Sequence, residues 1–188
     1  MRTIGIMPAS FNPPTVAHLE LMRAALDHVD EIICVLPRVF PHKEYFGATL
    51  DERLEMVRLA TSGLACSVEV TEQGLFLDIA RECRAQLGGP VRLLFLCGAD
   101  AAERIVNWDY GRPGVAEEML REFELLVAPR GADYRPPAHL GDRIHALQIS
   151  AEAQTVSSTQ VRERIRRGEG WEHLVPAAIV DKVRAIYS

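Results

Sequence analysis

No apolar run in the 188-residue chain approaches the ~20 residues that span a bilayer. The start, Met1-Arg2-Thr3, leads into only four apolar residues before Pro8, too few for a secretory leader. A cytoplasmic protein with no membrane partner is expected. Positive charge is not in excess either: 21 Lys and Arg against 26 Asp and Glu leave a formal net charge of -5, so the field of the whole protein gives no attraction to a nucleic-acid backbone. No nucleic-acid partner is expected, and any phosphate site has to be built locally. The four cysteines, Cys34, Cys66, Cys83 and Cys97, fall at no metal-ligand or redox spacing, and each lies in or beside an apolar run. Buried free thiols in a reducing compartment account for them. Internal repeats and low-complexity segments are absent.

What is present is the balance of an ordinary packed protein, with 48% hydrophobic and 25% charged residues. The length fits one domain, 1–188, with a helical C-terminal part from about residue 157. Short buried strands are expected at Thr3–Met7, Glu31–Leu36, Ser67–Val70, Val91–Cys97, Glu124–Ala128 and Ile144–Ile149. Helical patterns lie between several of them, at Thr15–His28, Leu50–Thr61 and Leu75–Gln86, and two more close the chain at Ser157–Arg167 and Pro176–Tyr187. A less regular stretch precedes the fifth strand, and Gly131–Gly141 reads as a surface loop. Apolar strands alternating with helices predict an α/β fold, a Rossmann-like doubly wound parallel sheet with C-terminal helices. Ligands of such sheets bind beyond the carboxyl ends of the strands, where the topology switches direction.

Two segments carry phosphate chemistry. The first strand ends in Met7-Pro8-Ala9-Ser10-Phe11-Asn12-Pro13-Pro14-Thr15-Val16-Ala17-His18, a loop shaped by small residues and prolines that runs into a helix start with unpaired N–H groups. Thr15 and His18, three apart, share one face of the first turn, where both can reach one phosphate. The plain alternative is an N-cap threonine beside a surface histidine. Later, Val156-Ser157-Ser158-Thr159-Gln160-Val161-Arg162 opens another helix. Ser157 with Gln160 fits a capping box, while three hydroxyls, the helix-start N–H groups and the Arg162 fork together fit a polyphosphate. Arg164, Arg166 and Arg167 read as a solvated basic face.

These two segments resemble the nucleotidyltransferase superfamily, whose marks are a strand-end Ser/Thr-Phe-Asp/Asn-Pro loop followed by His/Thr-x-x-His, and a late Ser-Ser-Thr-x-x-Arg. Pro41-His42-Lys43, Glu52-Arg53-Leu54-Glu55-Met56, Leu96-Cys97-Gly98-Ala99-Asp100 with Trp108 downstream, Pro129-Arg130-Gly131 and Leu174-Val175-Pro176 extend the resemblance to the nicotinate or nicotinamide mononucleotide adenylyltransferases, over nearly the whole chain. The resemblance implies adenylyl transfer from ATP, with magnesium, to a pyridine mononucleotide. It implies catalytic roles for His18 and Arg162, and ATP contacts from Ser10, Phe11, Thr15, His18, Gly98, Asp100, Arg130, Ser157, Ser158, Thr159 and Arg162. Acceptor contacts fall to Lys43 and Trp108. Trp108 is equally readable as a core anchor and Asp100 as a helix N-cap, while Arg53 and Glu55 look like helix-surface or helix-to-loop pairing. Thr15 stands where many bacterial members carry histidine, and Gly74-Leu75-Phe76-Leu77 replaces a Ser-Tyr-Thr that helps hold the pyridine ring. A pantetheine-phosphate or cytidylyl acceptor, or an ATP-binding regulator without catalysis, therefore stay open as alternatives, and the sequence is compatible with a homo-oligomer.

Overall fold

The computed structural model describes residues 1–38, 47–129 and 134–188. Strands β1 (Arg2–Pro8), β2 (Glu31–Pro37), β3 (Cys66–Thr71), β4 (Val91–Gly98), β5 (Glu124–Ala128) and β6 (Ile144–Ala146) form one sheet in the order β3-β2-β1-β4-β5-β6. Every neighbouring pair is parallel. This is the doubly wound order, with its reversal between β1 and β4. The α-helices among the described residues are α1 (Val16–Ala25), α2 (Leu50–Ala60), α3 (Phe76–Leu87), α4 (Ala99–Asn107), α5 (Val115–Glu122), α6 (Ala151–Gln154), α7 (Ser158–Arg167) and α8 (Val180–Tyr187), with short 3-10 turns at Ala138–Leu140, Glu172–Leu174 and Ala177–Ile179.

The four inner strands, β2, β1, β4 and β5, carry apolar runs because the sheet is covered on both faces there, and their side chains alternate between two cores, whereas edge strand β3 exposes Ser67 and Glu69. Ile4, Ile6, Ile33, Val35, Leu93, Phe95, Leu125 and Val127 point to the face shared with α3, α4 and α5. Ile32, Cys34, Leu36, Leu94, Leu96 and Leu126 point to the face that packs Leu19, Leu21 and Met22 of α1. Phe95 anchors the first core, stacked on Phe76 at 4.6 Å between ring centroids and tilted against Phe123 at 4.8 Å. A third cluster seats the C-terminal segment on α2: Met56 packs with Val161, Trp171, Leu174, Ile179 and Val183. Lys182 adds an ion pair to Glu55 at 2.6 Å.

Local chemistry sets the helix starts. Thr49 caps α2 in a capping box with Glu52. Thr15 and Ser157 are the N-caps of α1 and α7, as the capping reading of each segment expects. Ser157 accepts from the Gln160 amide at 3.2 Å, but the reciprocal half of the expected box is not made. Gln160 Oε1 is buried without a hydrogen-bond partner among the described residues. The stretch before β5 that looked irregular holds α4 and α5, which start at Gly98 and Gly114 with no side-chain cap and so carry no start signal. β6 is shorter than expected; after Leu147 the chain leaves the sheet for α6, capped by Ser150. The four cysteines are free, Cys66 only half-buried and its sulfur 3.4 Å from that of Cys34. No helix among the described residues is long and apolar enough to cross a membrane.

At the amino ends of the strands, away from the loops expected to bind ligand, the Glu124 carboxylate ties three strands together. Arg92 Nε and Nη2 of β4 donate to it at 2.8 and 2.6 Å, and His145 Nε2 of β6 lies 2.7 Å from it. Burial pushes this carboxyl up, but the bonds and charges of Arg92 and His145 outweigh burial and leave it below the ordinary value. A depressed acid contributes stability above its unfolded pKa and loses that contribution as pH falls through the folded one. Glu124→Gln is thus expected to destabilise by about 1–2 kcal/mol at pH 7, discounted because Arg92 is partly exposed. The gap to wild type should close as pH drops below the ordinary glutamate value of 4.5. Denaturant titrations across pH check it, and a pH-independent gap would show that charge plays no part.

Candidate active site

A cavity of about 600 Å³ opens over the carboxyl ends of the strands, bounded by Met7 and Pro8 of β1, Pro37 of β2, Thr71 of β3, Leu96 to Gly98 of β4 and Ala128 of β5. It sits at the switch point between β1 and β4. The N-caps of α1, α4 and α7, which are Thr15, Gly98 and Ser157, all line it. Three helix starts thus bring their unpaired N–H groups and partial positive charge to one space. Among the described lining residues the formal charge is one guanidinium, Arg104, and no carboxylate. The cavity is therefore suited to anions even though the chain is acidic overall.

His18 is set by an unusual capping box in which the histidine takes the place of glutamate. The Thr15 backbone N–H donates to His18 Nδ1 at 3.0 Å, and the Thr15 hydroxyl lies 2.8 Å from the same nitrogen. A backbone amide can only donate, so Nδ1 is an acceptor and the ring proton resides on Nε2. His18 lines the cavity as an N–H donor of fixed tautomer. Thr15 is completely buried, and its hydroxyl also accepts from the His18 amide at 3.4 Å. Thr15 and His18 both line the cavity, and Thr15 also holds the histidine ring from behind.

The loop between β1 and α1 is held by its carbonyls. Arg53, 2% exposed, donates from Nη1 to Ser10 O at 3.0 Å. Arg162 Nη1 donates to Asn12 O, and Ser158 Oγ donates to Pro13 O at 2.7 Å. Between them Phe11 adopts φ +48, a left-handed conformation that costs a bulky residue about 1–3 kcal/mol and persists only where surroundings enforce it. Its ring is fully buried, 5.0 Å from the His18 ring. The Asn12–Pro13 peptide is cis. Asn12 Oδ1 accepts from the Ala48 amide at 3.4 Å and from the Tyr187 hydroxyl. Gly47, at φ +118, passes so close that an added Cβ would stand 2.5 Å from that oxygen, so both the conformation and the approach require glycine. Loop, α2, α7 and α8 thus form one braced unit.

Of the residues expected in the site, Ser10, Thr15, His18, Gly98, Ser157 and Ser158 line the cavity. Others do not. Phe11 lies in the core behind the loop, as an apolar ring should. Arg162 lies against the loop because its fork finds Asn12 O and, at 3.3 Å, the exposed Thr159 hydroxyl. Asp100 is exposed in the first turn of α4 and is not its cap; Gly98 is. Trp108 is 64% exposed at the end of α4, which rules out a core anchor, and it does not line the cavity. Lys43 and Arg130 lie outside the described residues, as does the start of the Gly131 loop. Of the two readings open for Arg53, helix-surface or helix-to-loop pairing, the structure shows the helix-to-loop one. Thr71, Gln73, Arg104 and Gln154 line the cavity without having stood out in the sequence. Cys97 lines it too, but burial pushes its thiol up to about 12, so it is no nucleophile.

Sheet order, switch-point cavity and converging helix starts define a Rossmann-like α/β protein built to hold phosphorylated ligands. The chain belongs to the cytidylyltransferase-like family, whose model matches residues 6–164. It is 31% identical to a probable nicotinate-nucleotide adenylyltransferase of Gloeobacter violaceus, over 98% of this chain and 95% of that protein. A protein of the same description from Pseudomonas putida is 30% identical, over 98% and 94%. The fold is that of the Plasmodium falciparum nicotinic acid mononucleotide adenylyltransferase complexed with APC, with a TM-score of 0.72, 16% identity and coverage of 98% and 96%. The same enzyme complexed with NaAD superposes with a TM-score of 0.68.

Proposed function

We propose that the chain transfers the adenylyl group of ATP to the 5′-phosphate of nicotinate mononucleotide, releasing pyrophosphate, in NAD biosynthesis. The observation that carries this is His18 held as an Nε2–H donor at the start of α1, inside a cavity on which the α4 and α7 starts also converge. A phosphate oxygen is already nucleophilic, so no general base and no covalent intermediate are needed. That oxygen attacks the α-phosphorus in line, the bond from the α-phosphorus to the bridging oxygen breaks, and pyrophosphate departs with the electron pair. His18 and the helix-start amides donate to the charge that develops. Arg53, Arg162 and Ser158 keep the loop in shape for this. The triphosphate belongs on the α1 and α7 side, beside Ser157, with Leu21, Ile149 and Ala153 as apolar walls for the base. The acceptor belongs on the opposite side of the sheet edge, by Gln73, Gly74 and Phe76.

A divalent cation, magnesium, comes with the triphosphate and neutralises its charge. Magnesium takes most of its ligands from phosphate oxygens and water, so it needs no carboxylate cage; the described residues offer no cluster of His, Cys, Asp or Glu that could hold a metal alone. The test is pyrophosphate release from ATP and magnesium against a panel of acceptors. Nicotinate mononucleotide should be the best, with nicotinamide mononucleotide used measurably. Release with pantetheine phosphate or a sugar phosphate, and with neither mononucleotide, would overturn the acceptor while leaving the family intact.

A further inference from the structure

We propose that Arg104 is the residue that selects an acidic acceptor ring: its guanidinium binds the carboxylate of nicotinate mononucleotide, a group that the nicotinamide nucleotide lacks. This rests on the function proposed above. The walls on the α3 and α4 side of the cavity are chiefly apolar, formed by Gly74, Phe76, Ile79 and Ala101. Such walls accept either pyridine ring and distinguish them little, because acid and amide have nearly the same shape. The Thr71 hydroxyl is no help, since it donates to Glu82 Oε2 and accepts from the Gln73 amide at 3.0 Å. Arg104 is the one formally charged side chain among the described lining residues, and it stands on α4, next to Ala101.

Its Nε donates to Asp100 O at 3.3 Å, which lays the side chain back along the first turn of α4. Its Nη atoms make no ion pair or hydrogen bond among the described residues, in contrast to Arg92 or Arg112, whose forks are closed by carboxylates. A planar fork with both Nη amino groups left over matches a carboxylate on a flat ring. The polar residues replaced by Gly74-Leu75-Phe76-Leu77 would have given only neutral hydrogen bonds. A cation on the neighbouring helix gives a charge-dependent preference instead.

The experiment measures kcat/KM for nicotinate and nicotinamide mononucleotide with saturating ATP and magnesium, in the wild type, Arg104→Gln and Arg104→Lys. A charge-assisted bond partly open to solvent predicts that the ratio of the two efficiencies falls about tenfold in Arg104→Gln. It should fall less in Arg104→Lys, which keeps charge but loses the fork. The wild-type ratio should also shrink as salt rises from about 0.05 to 0.5 M, by screening. Arg104 is exposed, so the variants are expected to fold. If both acceptors lose efficiency equally, the charge serves the phosphate they share and the proposal is overturned; it is equally overturned if the ratio does not move. A wild type that releases no pyrophosphate with either nucleotide removes the proposed function itself, an outcome distinct from a wild-type preference that survives the loss of Arg104.

Discussion

Replacing His18 by alanine is expected to lower turnover by about a hundredfold or more, with the protein still folded. The size follows from the loss of one preorganised donor to a transition-state charge, which costs about 10²–10³ in kcat where it has been isolated. The structure makes the comparison apt because the donor is fixed from behind. The Thr15 amide and hydroxyl meet at Nδ1, so that Nε2 carries its proton into the cavity without reorganisation. Alanine removes the donor and also the side-chain half of the capping box. Thr15 still caps α1 through its own hydroxyl, so the stability lost is about 1 kcal/mol or less. The KM for ATP should change less than kcat, since the missing bond belongs to the charge that builds at the α-phosphate. Steady-state kinetics beside a thermal melt separate the two effects. Near-normal turnover in a folded variant would take His18 out of the chemistry.

Much of this arrangement is legible in the sequence, and the boundary follows physical lines. Strands buried on both faces must be apolar throughout, so runs such as Leu93 to Cys97 announce a parallel sheet, and the sheet places ligands at its carboxyl ends. Thr15 and Ser157 were visible as helix starts because capping is local chemistry, decided within four residues. What a long side chain does at distance was not legible. Arg162 reads as a phosphate ligand from its position in the motif, yet it is 150 residues along the chain from the carbonyl it holds. Only the packing of α7 against the loop brings them together. Asp100 reads as a cap because it follows a strand, but the helix begins two residues earlier at a glycine, which has no side chain to signal it. Arg104 carries no signal in the sequence, because the neutrality of the other described residues that line the cavity is a property of the assembled fold and of no local motif.

For Arg162 the two roles give different outcomes. If it braces the loop, Arg162→Lys should lower turnover about tenfold or more and also lower the melting temperature. Its fork bonds Asn12 O and Thr159 Oγ1 together, and an ammonium cannot hold both in the same geometry. A buried carbonyl left short of its donor costs about 1–3 kcal/mol. That carbonyl directly follows Phe11, whose left-handed backbone needs enforcement. Relaxation there would move His18, whose ring packs on Phe11, away from the α-phosphate. If Arg162 instead contacts phosphate alone, the KM for ATP should rise while the melting temperature stays put. Ser158→Ala, which frees the next carbonyl at Pro13, should follow the first pattern at smaller amplitude. Kinetics and melts on both variants decide between them, and unchanged turnover, ATP affinity and melting in Arg162→Lys would reduce Arg162 to a helix-surface residue.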